Sequence, residues 1–267
     1  EKRLLRTLDG RLRAFLSSRY RRLDNLELAD HILPIIGQMR GCEIASCDIT
    51  STHMYLKVIN KTLKTEVVPG DVVQAGFVIS NSEVGLGAVK VEPLIYRLVC
   101  KNGMICKDYA HKKYHTGRQV EDTENAYELY SDETLAADDK AYFMKVQDIV
   151  SVAVDESKFL LTVDKMRKAR EESTGSNPIE TVELLGDRYV LNKNERASIL
   201  RHFALNHDFS KYGLVNAVTR SAQDNTDYNR ATDLERLGGI ILEEKLLENS
   251  TKKVNENKMK KLPMLAA

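Results

Sequence analysis

The spacing of hydrophobic residues changes once along the chain, and this change limits the folds that are open to it. Between residues 42 and 118, β-branched residues are frequent and apolar side chains alternate with polar ones, as in residues 52–59. Alternation with a period of two is typical of strands. From Asp132 onward the apolar residues recur every three or four positions, beginning with Phe143 and Val146, as on one face of a helix. The pattern predicts an α+β fold: an antiparallel sheet in the N-terminal half, packed with helices, and an all-helical C-terminal half.

Turn residues divide the first half into strands. Pro69-Gly70-Asp71 marks one turn. Asn102-Gly103 indicates a tight hairpin turn, because Asn-Gly supplies the positive φ that a type I′ turn requires. This turn would join strands at residues 88–100 and 105–117. We therefore expect four or five strands, mostly antiparallel.

Helices are predicted on both sides of these strands. Asn25 is a suitable N-cap for a helix that Pro34 kinks or ends, whereas residues 4–16 fit either a helix or a strand and turn. Residues 173–178 have the composition of a linker. Further helices are expected at residues 194–205, 212–222 and 227–247.

Length and composition indicate a globular chain. Its 267 residues can bury a substantial core, and 42% hydrophobic with 30% charged residues is an ordinary balance for a folded protein. We divide it into a mainly β-sheet region with an N-terminal helix (1–130), a helical region (131–250) and a basic tail (251–267). No stretch approaches the roughly 20 apolar residues of a membrane-spanning helix, so we expect no membrane association and a cytoplasmic location.

Charge is segregated along the chain. The formal net charge of +1 argues against a uniformly basic nucleic-acid binder. However, residues 1–22 carry eight basic and two acidic side chains, residues 101–118 carry five basic and one acidic, and residues 121–139 are acidic. Because the electric field at a protein surface depends on charges within about 10 Å, one face can attract phosphate while the net charge of the chain stays near zero. An ordinary solvated surface is the alternative interpretation.

Both basic segments combine cations with rings. Cations can follow phosphates while rings stack on bases, as in a sequence-tolerant single-strand groove. In the second segment, the alternation of side chains along a strand would put five of them on one face, which we expect to face solvent. They are Lys107, Tyr109, His111, Lys113 and His115. We predict single-stranded nucleic acid as a partner, with a binding site made of Arg19, Tyr20, Arg21, Arg22, Lys107, Tyr109, His111, Lys112, Lys113 and His115.

The sequence contains no recognisable catalytic motif. It lacks a P-loop, a dinucleotide fingerprint, a nucleophile elbow and a zinc-protease motif. Two cysteines precede two histidines in zinc-finger order, but Cys106 and His111 are too close together for that class of site. We expect no metal, no cofactor and no disulfide, and an enzyme is less favoured than a non-enzymatic protein.

Three groups of short motifs carry a family resemblance. The first is LDG at 8–10 with AFLSSRYRRLDN at 14–25; the second is GD at 70–71, SNS at 80–82, RLVC at 97–100, NGM at 102–104 and HTG at 115–117; the third is NAVTR at 216–220 with LERLGG at 234–239. In these the chain resembles the phage- and plasmid-borne family known as domain of unknown function 932. The resemblance implies a phage, prophage or plasmid context in a bacterial host, and it transfers no catalytic residue.

The predicted architecture also has a more distant likeness. A β-meander followed by helices is similar to the single-strand annealing recombinases of the Rad-fifty-two type, which form rings around a basic groove. By this analogy we expect a homo-oligomer, for which a ring is one form, that binds and anneals single strands. Two alternatives stay open: a structural or host-interaction protein of a phage or plasmid, and a metal-dependent enzyme acting on nucleic acid.

Overall fold

Seven strands and seven α-helices form an α+β fold in the computed structural model, which describes residues 3–17, 23–106, 131–175 and 177–244. The predicted order, antiparallel strands followed by helices, is confirmed. The strands are β1 (Arg3–Leu8), β2 (Arg11–Ser17), β3 (Cys42–Ile49), β4 (Met54–Val68), β5 (Asp71–Asn81), β6 (Lys90–Arg97) and β7 (Asn102–Ile105). The helices are α1 (Asn25–Gln38), α2 (Asp132–Ser151), α3 (Glu156–Glu171), α4 (Pro178–Tyr189), α5 (Lys193–Asn206), α6 (Lys211–Ser221) and α7 (Tyr228–Glu243).

Strands β1 and β2 pair with each other as a separate hairpin, which we call the arm. Of the two possibilities left open for residues 4–16, the strand and turn is therefore the one adopted. Asp9 and Gly10 both have positive φ and make the turn between the strands. The pairing shifts by one residue between Arg6 and Thr7, so that Arg13 is an extra residue in β2.

The other five strands form one antiparallel sheet in the order β3-β4-β5-β6-β7. The turn predicted at Asn102-Gly103 is wrong, because these residues belong to β7 and the turn is at residues 98–101, with Lys101 at φ 51°. Glycine at 103 serves close packing instead. A β-carbon there would lie 2.8 Å from Cδ1 of Leu94 on β6.

Helix α1 packs on one face of the sheet together with α2. Its buried side includes Leu28 and Ile32, which share a core cluster with Phe77 and with Phe143 of α2. The helix does not end at Pro34 but continues to Gln38. The carbonyl that loses its hydrogen bond to Pro34 belongs to the exposed Asp30, where water can satisfy it.

The start of α1 also differs from the prediction. Asp24, not Asn25, is the N-cap residue, and Asn25 is the first residue of the helix. The side chain of Asn25 instead accepts a hydrogen bond of 2.9 Å from the amide of Asn81 on β5. Asn25 therefore fastens the helix to the sheet.

The helices from α3 to α7 share the largest core cluster with one end of the sheet. Val73 and Ile95 of the sheet lie in the same cluster as Phe203 of α5 and Leu237 of α7. The division of the chain near residue 130 stays a prediction, but both parts contribute to this core. None of the helices that the structure describes is long and apolar enough to cross a membrane.

Helix α4 was missed by the sequence analysis, which took residues 173–178 as a linker before the next predicted helix. In the structure, the side chain of Asn177 caps α4 by accepting from the backbone N–H of Ile179 and Glu180. The segment before it is also held in place, since Thr174 is buried and its backbone N–H donates to the carbonyl of Phe209 at 3.1 Å. These residues therefore belong to the folded core.

A buried ion pair joins the sheet to α6. The guanidinium of Arg97 donates to both carboxylate oxygens of Asp71, at 2.6 and 2.7 Å, and the hydroxyl of Tyr212 donates to the same carboxylate at 2.6 Å. Asp71 begins β5 and Arg97 ends β6, so one carboxylate holds together a strand pair and a helix. Bidentate contacts of this kind are stronger than ordinary hydrogen bonds.

Replacing Asp71 should test this connection. Asp71→Ala leaves the Arg97 guanidinium buried without a counter-charge, and we expect the free energy of unfolding to fall by about 3–5 kcal/mol. The control is Glu43→Ala, which removes an exposed pair with Lys61 and should cost less than about 1 kcal/mol. Urea denaturation measures both, and equal losses in the two variants would contradict the role given to Asp71.

Candidate nucleic-acid interface

All ten residues of the predicted binding site lie outside the residues that the structure describes. They are Arg19, Tyr20, Arg21, Arg22, Lys107, Tyr109, His111, Lys112, Lys113 and His115. The same holds for the basic tail. The prediction that the Lys107 side of its strand faces solvent is therefore untested. The structure does give the points at which the chain leaves and rejoins the described fold around each basic segment.

In the first basic segment, residues 18–22 connect the arm to the start of α1, and both the arm and α1 are fixed to the same end of the sheet. The amide of Asn81, at the end of β5, donates to the carbonyl of Leu23 at 3.0 Å. From the arm, Arg6 makes ion pairs with Asp24 at 2.7 Å and Glu83 at 3.0 Å. We call this end of the five-stranded sheet, where β3 and β5 finish and β4 and β6 begin, the arm end.

The second segment follows β7, whose direction is set by its pairing with β6. Leu94 is opposite Ile105, and the backbone N–H of Cys106 donates to the carbonyl of Pro93 at 2.8 Å. Since β6 starts at the arm end with Lys90, antiparallel β7 runs toward that end. The chain therefore runs toward the arm end in β7, the last described strand before the remaining residues of the second basic segment.

The arm has an inner and an outer face. Arg6 and Ala14 are paired on the inner face, where Arg6 reaches the body of the protein. Leu5 and Phe15 are paired on the outer face, and both side chains are more than half exposed. Near the tip of the arm, Arg11 is also exposed. The arm therefore has an exposed cation and an exposed aromatic ring shortly before Arg19, Arg21 and Arg22 in the sequence.

Arg13, at the extra position of β2, is exposed as well. Its guanidinium donates to the backbone carbonyl of Ser51, in the turn between β3 and β4. The arm is thus held along the arm end of the sheet, from Glu83 on one side to Ser51 on the other.

A polar layer lies between α7 and the face of the sheet opposite α1. The ammonium of Lys57 on β4 contacts Glu235 at 2.7 Å, and Arg236 contacts Glu92 on β6 at 2.6 Å. Two tyrosines complete the layer through hydroxyl hydrogen bonds. They are Tyr55, which donates to Asn229 at 3.0 Å, and Tyr228, which lies 3.2 Å from the hydroxyl of Ser46.

Burial perturbs the acid–base behaviour of this layer. Burial opposes the charged form of Lys57. The attraction of the Glu235 carboxylate more than offsets this effect, so the pKa of the lysine is raised. Burial, reinforced by the Arg236 guanidinium, lowers the pKa of Lys90. Burial raises the pKa of Tyr55 to about 12. Because the main charges are paired with each other, the layer holds α7 on the sheet.

A serine, a histidine and an aspartate meet elsewhere, but their geometry does not suit nucleophilic catalysis. The Ser198 hydroxyl and Nε2 of His202 lie 2.5 and 2.7 Å from the same oxygen of Asp224. In a catalytic triad the histidine bridges the serine and the carboxylate, so this arrangement is of a different kind. Within the described ranges, no group of three or more His, Cys, Asp or Glu side chains could hold a metal ion, and no disulfide joins any of the four cysteines.

Comparison with known proteins adds one finding. The family model described as "Domain of unknown function (DUF932)" matches residues 14–259. The chain belongs to the DUF932 family. The match begins inside β2, so it includes Arg19, Arg21 and Arg22 of the first basic segment and the whole of the second. No curated protein and no solved structure matches the chain at a significant level.

The Lys57–Glu235 pair predicts a specific pattern of stabilities. Lys57→Met leaves a buried carboxylate without its partner and should lower the free energy of unfolding by about 3–5 kcal/mol. Adding Glu235→Leu removes the stranded charge and should restore most of that loss, because apolar side chains can replace a buried ion pair. A double variant less stable than Lys57→Met would contradict the pairing.

Tyr55 predicts a loss of stability in alkali. Its pKa is about 12 in the fold and about 10 in the unfolded chain, so above pH 10 the unfolded state binds fewer protons and stability falls as pH rises. Tyr55→Phe should make the decline between pH 10 and 12 shallower by about 2 kcal/mol. Urea denaturation across this range measures the difference, and parallel declines would show that Tyr55 is not protected.

Proposed function

We propose that this DUF932 protein binds single-stranded nucleic acid at the arm end of its sheet. The observation that carries the proposal is that the described chain flanking residues 18–22 and preceding residues 107–118 leads to that end. The arm and Leu23, on either side of residues 18–22, are both anchored there, and β7, which residues 107–118 follow, runs toward it. A groove for one strand needs cations from both segments within reach of the same phosphates.

The arm supports the same proposal with described residues. Arg11 and Arg13 are exposed, with the Arg13 guanidinium also donating to the Ser51 carbonyl, and Phe15 is an exposed aromatic residue in the same strand. Lys90 starts β6 at the arm end and has no ion pair among the described residues. Phosphates can pair with these cations, while bases gain about 1–3 kcal/mol each by stacking on aromatic rings.

The proposed role is in the biology of a phage or plasmid, inside the cytoplasm of its bacterial host. Strand annealing is the activity we favour within this role. An annealing protein must hold a strand by its backbone and leave base edges open, and the cation and ring contacts proposed here would not occupy the base-pairing edges.

The test is binding of a labelled oligothymidylate, followed by fluorescence anisotropy. If about three phosphates are neutralised per subunit, the logarithm of affinity should fall with the logarithm of salt concentration with a slope near −2 per subunit. No binding at low salt would contradict the proposal as a whole.

Charge reversal tests the location of the site. A quadruple change to glutamate in the two basic segments should abolish binding, at Arg21, Arg22, Lys112 and Lys113. A matched control changes four exposed basic residues on α3, α5 and the far part of β4, namely Lys64, Lys168, Arg170 and Lys193. The control should bind as the native protein does, while thermal unfolding checks that both variants are folded. Equal loss in both would mean that only net charge matters.

Mixing two complementary labelled strands tests the annealing part separately. The native protein should accelerate their pairing, and the quadruple variant in the basic segments should not. Tight binding without acceleration would leave a binding protein that does not anneal.

A further inference from the structure

A row of exposed side chains runs along β3, which stands at one end of the strand order. Ile44, Cys47 and Ile49 are paired with residues of β4 that share a core cluster with α1. Because directly paired residues point to the same face of a sheet, these three point to the face that α1 covers. However, Ile44 and Ile49 are 47 and 68% exposed, and Cys47 is exposed as well. Helix α1 therefore leaves this row uncovered.

Helix α1 continues the same surface with two leucines. It contacts both α2 and β3. The ring of His31 stacks on Phe143 of α2, and the helical period places Leu26 and Leu33 on the other side of α1, toward β3. These leucines are 74 and 41% exposed. We call the five residues together the edge surface: Leu26, Leu33, Ile44, Cys47 and Ile49.

The edge surface is bordered by negative charge. Helix α1 carries Glu27 and Asp30 but no lysine or arginine, and both acids are exposed. Among the described residues, neither acid has an ion-pair partner. A binding partner of this surface should therefore combine apolar side chains with cations, as specific interfaces match both apolar contact and charge.

The basic tail has that composition. Its residues 251–267 contain five lysines and one glutamate. Within it, residues 258–265 combine three lysines with four apolar side chains besides Pro263, and they contain no acid. Pro263 disfavours a helix, so we expect an extended segment. Eight extended residues span about 26 Å, which is also the length of an eight-residue strand such as β3.

This segment can reach the edge surface of its own copy. Glu243, the last residue of α7, lines a cavity together with Cys106, which follows β7. From β7 to β3 the sheet is about 19 Å wide, whereas the 14 residues between Glu243 and Lys258 can extend over about 50 Å. A flexible tether of this kind gives an effective concentration on the order of millimolar. Even a weak contact is then occupied within one copy.

We propose that residues 258–265 dock on the edge surface of the same copy. The apolar side chains of the segment cover the edge surface, and its lysines pair with Glu27 and Asp30. The contact shields the unpaired edge of β3 from addition of strands of other molecules. It involves neither the arm nor the two basic segments, so it does not depend on nucleic-acid binding. A second copy or a different protein is the alternative occupant.

A cross-link to Cys47 tests this contact in the full chain. Met264→Cys introduces a thiol into the segment, and a short bis-maleimide reagent can join it to Cys47. We expect peptide mass spectrometry to find this link in a monomeric product. The link should form faster than with Asn249→Cys, whose thiol lies outside the segment. The other native cysteines serve as internal references, namely Cys42, Cys100 and Cys106.

Charge reversal in the Met264→Cys chain tests the electrostatic part. Glu27→Lys with Asp30→Lys brings like charges together and should slow the link to Cys47 severalfold. Reversing the three lysines of the segment to glutamate as well restores opposite charges and should restore the rate. The matched control, Glu156→Lys with Glu180→Lys, changes exposed acids on α3 and α4 and should leave the rate unchanged.

Several results would overturn the proposal. They are a product that joins two copies, a link mainly to Cys100 or Cys106, and an unchanged rate in the Glu27→Lys, Asp30→Lys variant although circular dichroism shows that it is folded. Equal rates from positions 249 and 264 would do so too, because linking would then reflect only the freedom of the tether. All readouts are taken without nucleic acid, so they bear on this contact alone.

Discussion

Helix α7 has to satisfy two unlike surfaces at once, and the arrangement of the fold depends on how it does so. One side meets the sheet through the buried pairs of Glu235 with Lys57 and of Arg236 with Glu92. The other side enters the apolar core through Leu237 and its neighbours. Gly239 permits the close approach, since a β-carbon there would lie 2.1 Å from the carbonyl oxygen of Ile105. A helix with a single chemical character could not join the sheet to the other helices.

This packing also determines which parts of the sheet the described helices cover. One face of the sheet is covered by α1 and α2 and the other by α7. Among the described residues, no strand pairs with the outer edge of β3, and both this edge and the arm end carry exposed apolar or basic residues. In many proteins binding residues lie on loops and edges that a rigid scaffold positions, and here the scaffold leaves few other places.

The sequence predicted the fold where local patterns decide the outcome. The change of hydrophobic period correctly separated strands from helices, and five antiparallel strands fell within the expected number. The prediction failed where one sequence pattern is compatible with two local structures. Asn102-Gly103 has the composition of a turn, but tertiary packing against Leu94 uses that glycine for space. Asn177 followed by Pro178 was taken as a linker, although the same pair is a typical helix start.

The candidate site was predictable only in part. Clustered charge is visible in sequence, so the basic segments could be named, but the direction of β7 and the anchoring of the arm, on which the proposed site depends, could not be predicted. The polar layer could not be foreseen, because Lys57 and Glu235 are 178 positions apart and each looks like an ordinary surface residue. Long-range pairing of this kind needs the three-dimensional structure.

The extra residue in β2 makes the arm unusually sensitive to chain length. Arg13 has no single partner on β1, so losing it would regularise the ladder and keep Phe15 opposite Leu5. Loss or gain of a residue between Ala14 and the end of β2 would instead reverse which side chains point outward beyond that position. Among related chains, the arm should therefore tolerate many substitutions but few insertions or deletions, and the tolerated ones should fall at the bulge.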